Sequence, residues 1–510
     1  EGNTTAAVTE AAKTEAETTA AAQTEAGGEK NLVMPSASCV ANLNPLLEGY
    51  KEAAMLNPIY DPLYVIDVNE TRYYLADSYE VSEDGMQITV KLKEDLKWHD
   101  GEAITADDMI FTMDVCSDTN NGAGGTNIVI LNDQPVKYEK VDDLTVKVTL
   151  PMASASYADL LGGLTLIPEH VFEGNPSVVS AGEANMKGIG SGPYKVTEFK
   201  QDEYLLLEKY EDYYMGAPSI DKVTFRIISD LSAQEVALMN GEVNFMELAN
   251  APAVAKYEAD PNFTVVKYPE GRVNYLAVNK FCETVQDPKV VEAVFAALNR
   301  DEIIAGAYGD GMAESANSIF SNVNTFYDPS VEGYTQDVEK AKQLVKETGL
   351  DSKTLTLYFN SERVYMKESA QIIQQQLKNV GINLEVIPLE SAGFFEKVFG
   401  TDGDYEFYLN GYGAVGDPDQ VVAGMYDGTW GVNLAVSDEV SQLWKDARTV
   451  YTPEERAAIY KQIQIQTRDE LTCYPIAYPN YVFVTTSNIK GADTIKRTPV
   501  FEDYTKLTME

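Results

Sequence analysis

Two histidines, His99 and His170, are all that 510 residues supply for imidazole chemistry. A serine or cysteine nucleophile needs a base within hydrogen-bond reach. None of the short motifs that build one (G-x-S-x-G, H-E-x-x-H, or S-x-x-K with its partner motifs) occurs in the chain. Cys39, Cys116, Cys282 and Cys473 stand far apart with no C-x-x-C pair, a spacing that suits isolated buried thiols or a single bridge and not a zinc site. Gly190-Ser191-Gly192 is glycine-rich, but no Walker-type Gly-Lys follows it, so a nucleotide-phosphate cradle is not indicated. Acid pairs are the catalytic resource in surplus: 80 Asp and Glu leave a hydrolase dyad open by counting. A dyad is defined by two carboxyls facing each other across about 5–10 Å, which spacing along a chain does not supply.

Binding chemistry is better furnished. Tyrosine contributes 31 residues against 17 Phe and 3 Trp, and a ring with a polar tip suits wet clefts and interfaces as well as an acidic surface. Trp430 with Asn433, in Gly-Thr-Trp-Gly-Val-Asn, offers a stacking face for a sugar or an apolar peptide side chain, or else a core ring. Arg363 and Tyr365 open a helix, where a guanidinium can meet a ligand carboxylate or solvent.

These groups must be carried by elements, and the elements are legible. Met86, Ile88, Val90 and Leu92 alternate with polar residues, which predicts a half-buried strand between the turn dipeptides Asp84-Gly85 and Asp100-Gly101. Thr105 and Asp108 have capping-box spacing, with Met109, Ile110 and Met113 at helical spacing beyond. Leu144, Val146, Val148 and Leu150 predict another alternating strand. Residues 339–348 predict an amphipathic helix stopped by Gly349; residues 368–379 predict a helix, with a Gly381 stop and a strand to Val386. Thr452-Pro453 opens a long helix over 452–469, with Thr as N-cap and Pro at the first helical position. His170 is read as a structural residue at a helix start. Alternating helix and strand predicts α/β layering.

At this length the chain suggests about two to four domains, and 44% hydrophobic content supplies ample core. A formal charge of −41 argues against nucleic acid and against anionic lipid as direct partners. No run of about 20 apolar residues exists. Residues 1–30 are Ala, Thr and Glu almost throughout, a composition that predicts a disordered tether. The first residue, Glu1, is not Met, so an upstream piece is expected to have been removed or omitted.

The block from Trp98 through Asp100, Gly101, Thr105 and Ala106 to Asp108, in the form W-x-D-G-x-x-x-T-A-x-D, resembles the signature of the oligopeptide/dipeptide-type solute-binding proteins of ABC importers (peptide/nickel-binding family, cluster C). Further blocks resemble the same family: residues 58–68, residues 166–172 (Leu-Ile-Pro-Glu-His-Val-Phe), Gly190-Ser191-Gly192-Pro193-Tyr194, residues 238–243, and the strand Asn274 to Asn279. The resemblance implies a two-lobed, periplasmic-binding-protein-like (Venus flytrap) α/β fold with an extra small domain inserted in the first lobe. Lobe I is expected at 31–50, 186–270 and 480–510, inserted domain II at 51–185, and lobe III at 271–479. It implies a non-catalytic, monomeric, extracytoplasmic receptor without cofactor or metal, delivering oligopeptides or dipeptides to a membrane permease by hinge closure. It also implies lipid anchorage through a cysteine that this sequence does not contain.

The same resemblance locates candidate ligand contacts at Asn274 and Tyr275, and less strongly at Tyr478 and Tyr481. Residues 410–419 resemble the family's G-W-x-x-D-x-x-D-P-D segment, whose first Asp pairs with a peptide's α-ammonium. Aligned on Gly416-Asp417-Pro418-Asp419, this places Ala414 at that Asp, Tyr412 near the family Trp, and Gly413 between them. A buried ammonium without a counter-charge is costly, so Asp417 or Asp419 must substitute, or serve only the turn. An oligosaccharide or other neutral solute is therefore the alternative ligand, and a secreted hydrolase the alternative class.

Overall fold

The computed structural model describes residues 29–48, 53–66, 70–413, 415–426, 434–494 and 503–510. The expected tether lies outside these residues except for its last two, as do Ala414, Trp430 and Asn433.

Near the amino terminus, Asn31–Ser36 runs parallel to Lys222–Ile227, and Tyr204–Lys209 and Tyr194–Lys200 continue this sheet antiparallel. Leu32, Met34, Leu205, Leu207, Val223 and Phe225 alternate inward and pack with Phe245, Val266 and Phe483. A separate four-stranded antiparallel sheet joins Ala76–Val81, Gln87–Leu92, Thr145–Thr149 and Lys137–Asp142 in that order. Its buried set, Ile88, Val90, Leu92, Val146 and Val148, lies in one core with the helix Ala106–Ser117. Each predicted strand forms here because period two places every second side chain on the covered face.

The Trp98 block is a set of ties. Asp108 accepts from the Thr105 amide at 2.9 Å, closing the capping box, and from the Glu169 amide at 3.0 Å. His99 accepts from the Gly190 amide at Nδ1 (3.1 Å), which leaves Nε2 to donate to the Gly192 carbonyl at 2.9 Å. Burial pushes its pKa down to about 4. His170 is the second residue of the short 3₁₀ helix Glu169–Phe172, which Pro168 precedes, with Nε2 2.7 Å from Asp100 Oδ2.

The largest sheet holds the strands Phe245–Glu247, Cys473–Thr486, Arg272–Val278, Phe407–Gly413, Thr354–Asn360 and Asn383–Leu389 in that order. Phe263–Pro269 and Ala313–Ser315 also pair with the long strand. The first half of that strand, to Ala477, pairs with Arg272–Val278; the second half, from Asn480, pairs with Phe263–Pro269. The chain thus passes twice between two packed cores, at 269–272 and at 478–481, and the crossings are bonded by the Glu270 amide to the Pro479 carbonyl at 2.9 Å.

The helix before Gly381 spans Val364–Asn379, four residues earlier than the periodicity suggests, with Arg363 at its N-cap. The helix Pro453–Asp469 starts as expected, but the Thr452 hydroxyl bonds the Glu455 side chain instead of capping a backbone amide. The four cysteines are free thiols, three of them buried. Among the described residues no helix is long and apolar enough to cross a membrane.

Candidate functional site

Where the two crossings meet, the chain gathers charge and aromatic rings. On the first wall, Glu247 ends one strand beside the long strand, and Tyr481 pairs in register with Tyr268, their rings 5.5 Å apart. Glu270 follows on the crossing itself. On the second wall, Arg272 and Asn274 lie on one face of their strand. Arg272 Nε donates to Asn274 Oδ1 at 3.2 Å and Nη2 to the Gly411 carbonyl at 2.7 Å, while Asn274 Nδ2 donates to the Tyr308 hydroxyl at 2.8 Å. Position 411 must be glycine for this, since a Cβ there would stand 2.1 Å from Asn274 Oδ1. The Tyr308 ring stacks on Tyr365 at 5.3 Å, and Arg363 caps the same helix.

Glu247, at the end of its strand, is exposed to solvent. Desolvation holds its pKa above the ordinary carboxylate range; the charge of Glu270 adds to this and the Tyr481 hydroxyl beside it opposes it. Desolvation likewise raises Glu270, offset by the charges of Arg272 and Arg363. The site holds two carboxylates on one side and two guanidiniums on the other.

The predicted residues divide. Asn274 and Arg363 belong to this cluster, with Tyr365 and Tyr481. Tyr275, adjacent to Asn274, points the opposite way: its ring is 1% exposed and lies 5.2 Å from Tyr412 in the core under the sheet. The period of two that makes the strand separates these neighbours, so they do not form one contact surface. The Tyr412 hydroxyl donates to the Ile319 carbonyl at 2.6 Å, and Gly413, exposed, ends the strand. Tyr478 is buried, its hydroxyl accepting from the Ser318 amide and donating to Asn317 Oδ1. Glu247, Glu270, Arg272 and Tyr308 were not among the expected residues, because a charged residue at a strand end carries no signal until the strand's neighbours are known.

Asp417 and Asp419 serve another purpose than a free counter-charge. Arg456 donates to both Asp417 oxygens, at 2.5 and 3.0 Å. Asp419 accepts from Arg448 Nε at 2.5 Å and from Ser156 Oγ at 2.9 Å. Ser156 is buried just before the helix Tyr157–Gly162, whose Tyr157 and Leu161 lie in the core under the separate four-stranded sheet, so this second bond crosses between packing units. Two more join it there: Gln420 Nε2 to Ser156 Oγ at 2.6 Å, and the Asp417 amide to Asp159 Oδ2 at 3.0 Å. The segment 416–420 is therefore a contact between the inserted region and the largest sheet's unit.

Residues 70–433 match the family model for bacterial extracellular solute-binding proteins, family 5. The chain is 27% identical over 499 residues to the dipeptide-binding protein of Escherichia coli, covering 91% of this chain and 92% of that one. The crystal structure of the ABC transporter substrate-binding protein CtaP from Listeria monocytogenes superposes with a TM-score of 0.87 at 32% identity, covering 94% of this chain and 99% of that one. The Bacillus subtilis oligopeptide-binding protein AppA, solved with a nonapeptide, gives 0.72 at 26% identity over 94% of this chain and 99% of that one. The two-lobed α/β fold with its inserted small domain is the fold of these structures. The chain belongs to the family 5 bacterial extracellular solute-binding proteins.

Proposed function

We propose that this chain is an extracytoplasmic receptor that closes around a peptide and presents it to an ABC permease. The observation that carries this reading is the mixed-charge wall at the crossings. Glu247 and Glu270 against Arg272 and Arg363 match a ligand that carries an ammonium and a carboxylate better than they match a neutral sugar. The Escherichia coli and Bacillus subtilis relatives are named for dipeptide and oligopeptide binding, which supports the same class.

In this reading Arg363, at the mouth of its helix, takes the carboxylate. Asn274 and Tyr308 hold Arg272 in place and offer polar contacts to the ligand backbone. Tyr412, Tyr275 and Tyr478 shape the wall by packing, and Asp417 holds the neighbouring segment in place. The crossings at 269–272 and 478–481 act as the hinge between lobe I and lobe III, and ligand contacts on both walls favour the shut form. The protein carries its guest unaltered and as a monomer.

Thermal-shift screening of the purified chain against peptides and oligosaccharides tests this, because a ligand that binds only the native state raises the melting temperature. Peptides are expected to stabilise and sugars not. Stabilisation by sugars alone would replace the reading, and a mass change in the recovered peptide would replace carriage with catalysis.

A further inference from the structure

We infer that the inserted region is a movable jaw: it travels with the amino-terminal sheet and closes on segment 416–420 of the largest sheet's unit. Ser156 and Asp159 are the positioning residues that hold it there. This goes beyond the peptide reading and stands whichever solute is bound.

The inserted region has two seams, and they are built differently. Toward the amino-terminal sheet, backbone meets backbone. The Gly192 amide donates to the Ile59 carbonyl at 2.8 Å, the Tyr194 amide to the Pro58 carbonyl at 3.0 Å, and the His99 amide to the Gly190 carbonyl at 2.9 Å. The approach is so close that a Cβ at Gly192 would stand 2.7 Å from the Pro58 carbonyl oxygen. The buried Asp61 takes the Tyr213 and Tyr214 hydroxyls, both at 2.8 Å, and Ile189 and Tyr214 pack on the inserted region's own core. A seam with shared core and paired backbone moves as one body.

Toward the largest sheet's unit the contacts are mostly polar side chains. Ser156 Oγ donates to Asp419 Oδ2 at 2.9 Å and accepts from Gln420 Nε2 at 2.6 Å, and Asp159 Oδ2 accepts from the Asp417 amide at 3.0 Å. The Ala155 amide donates to the Arg448 carbonyl at 3.1 Å, and the Tyr451 ring lies against Gly85, where a Cβ would overlap it. Among the described residues, none from 271–479 joins the inserted region's core. A polar seam without shared core is one that separates, because water takes over each donor and acceptor. The break falls in front of segment 416–420 and not behind it, since Arg456 and Arg448 hold Asp417 and Asp419 from the other side.

The segment starts at the crossing. Val415 fills the space that a Cβ on Gly271 would need, and Gly416 lies under Asp159. Rotation about the crossings therefore draws Asp419, Gln420, Arg448 and Tyr451 away from Ser156, Ala155 and Gly85, while Val415 stays beside Gly271. Ser156 and Asp159 thus act on solute binding through segment 416–420.

Amide hydrogen exchange on the full chain, resolved to single residues by fragmentation mass spectrometry, tests this without a solute. The Ala155 and Asp417 amides report the polar seam, and the Gly192 and Tyr194 amides report the other. Protection of the first pair is expected to be at least about tenfold lower, as for any region that opens short of global unfolding. Ser156→Ala is expected to lower it by a further factor of about two to ten, the worth of one hydrogen bond, and to leave Gly192 and Tyr194 unchanged. Tyr451→Ala, outside the hydrogen-bonded set, is expected to give the same pattern. Equal protection at all four amides in the wild type overturns the inference. So does an effect of both variants at Gly192 and Tyr194 as large as at Ala155 and Asp417. Alanine peptides of two to nine residues are then added, with calorimetry to identify a binder. Slower exchange confined to Ala155 and Asp417 supports the jaw as part of solute capture, and a bound peptide that leaves all four rates unchanged overturns it. Binding of no peptide counts against the peptide reading alone, because the four rates without solute decide the jaw.

Discussion

Arg456 and Asp417 form a two-point ion pair, Nη1 to Oδ2 at 2.5 Å and Nη2 to Oδ1 at 3.0 Å, with both side chains less than a tenth exposed. Arg456 also donates to the Tyr460 hydroxyl at 2.9 Å and lies over the Phe326 ring at 4.9 Å. The pair pins segment 416–420 to the helix Pro453–Asp469. Removing one partner of a buried pair leaves an uncompensated charge, which costs roughly 3–5 kcal/mol. Arg456→Met is expected to lower the unfolding free energy in denaturant titrations by that amount, and the Arg456→Met, Asp417→Leu double variant by much less. Equal losses in single and double variants would show that packing around the helix, and not the charge, is what matters.

The contacts of Ser156 and Asp159 with Asp419, Gln420 and the Asp417 amide exist only when the inserted region lies against the largest sheet's unit. Each such hydrogen bond is worth about 0.5–1.5 kcal/mol to the arrangement in which these two units touch. Asp159→Ala and Ser156→Ala are therefore expected to enlarge the ligand-free radius of gyration in small-angle scattering. They should also weaken peptide binding by roughly two- to tenfold through the closing equilibrium. A scattering profile identical to wild type would remove this role.

Asp61 is 4% exposed, and burial lifts its pKa to about 7 from 3.8, against the pull of the Tyr213 and Tyr214 hydroxyls that donate to it at 2.8 Å. Asp503 adds to the rise and Lys93 opposes it. The unfolded chain loses this proton near pH 3.8 and the folded chain only near 7. In that window the folded state binds more protons, and stability falls as pH rises. His99, pushed down to about 4 from 6.5, has the opposite slope between those values, so wild type alone shows a partial cancellation. Asp61→Asn is neutral throughout, and its stability relative to wild type is expected to improve steadily from about pH 4 to 7, at about 1.4 kcal/mol per unit of removed shift at most. Urea midpoints across that range check it; a pH-independent difference would mean the carboxyl is ionised in the folded state.

Gly271 sits on the crossing with φ +72°, and a Cβ there would lie 1.9 Å from Val415 Cγ2. Gly271→Ala is expected to cost about 1–3 kcal/mol from the left-handed backbone together with the clash. Val415→Ala removes the clash but not the backbone term, so the double variant should recover part of the loss. Full recovery in thermal melts would show that the backbone here carries no strain.

Much of the local structure could be read along the chain. The capping box of Thr105 and Asp108, the Gly349 stop at φ +67°, and the alternation of Ile88, Val90 and Leu92 arise from neighbours within a few residues, so periodicity and turn chemistry suffice. The motif around Trp98 and the segments that resemble one family located the fold in the same way. Thr452 departed from expectation because the Glu455 side chain competes with the backbone for its hydroxyl.

The site was legible only in part. Arg363 and Asn274, chosen by type and position, fall in the charged cluster at the crossings. Tyr275 could not be separated from Asn274 until the sheet was seen to carry a core on its other face. Asp417 resembled a ligand group until Arg456, 39 residues away, was found against it. What the residue order alone determined here is the α/β layering, the caps and turns, and the family, because each is written in short-range spacing. Which charges face one another across the crossings is decided by tertiary structure alone. Glu247, Glu270, Arg272 and Arg363 come from separate strands and a helix, and only the pairing of the long strand Cys473–Thr486 with both cores brings them within electrostatic reach.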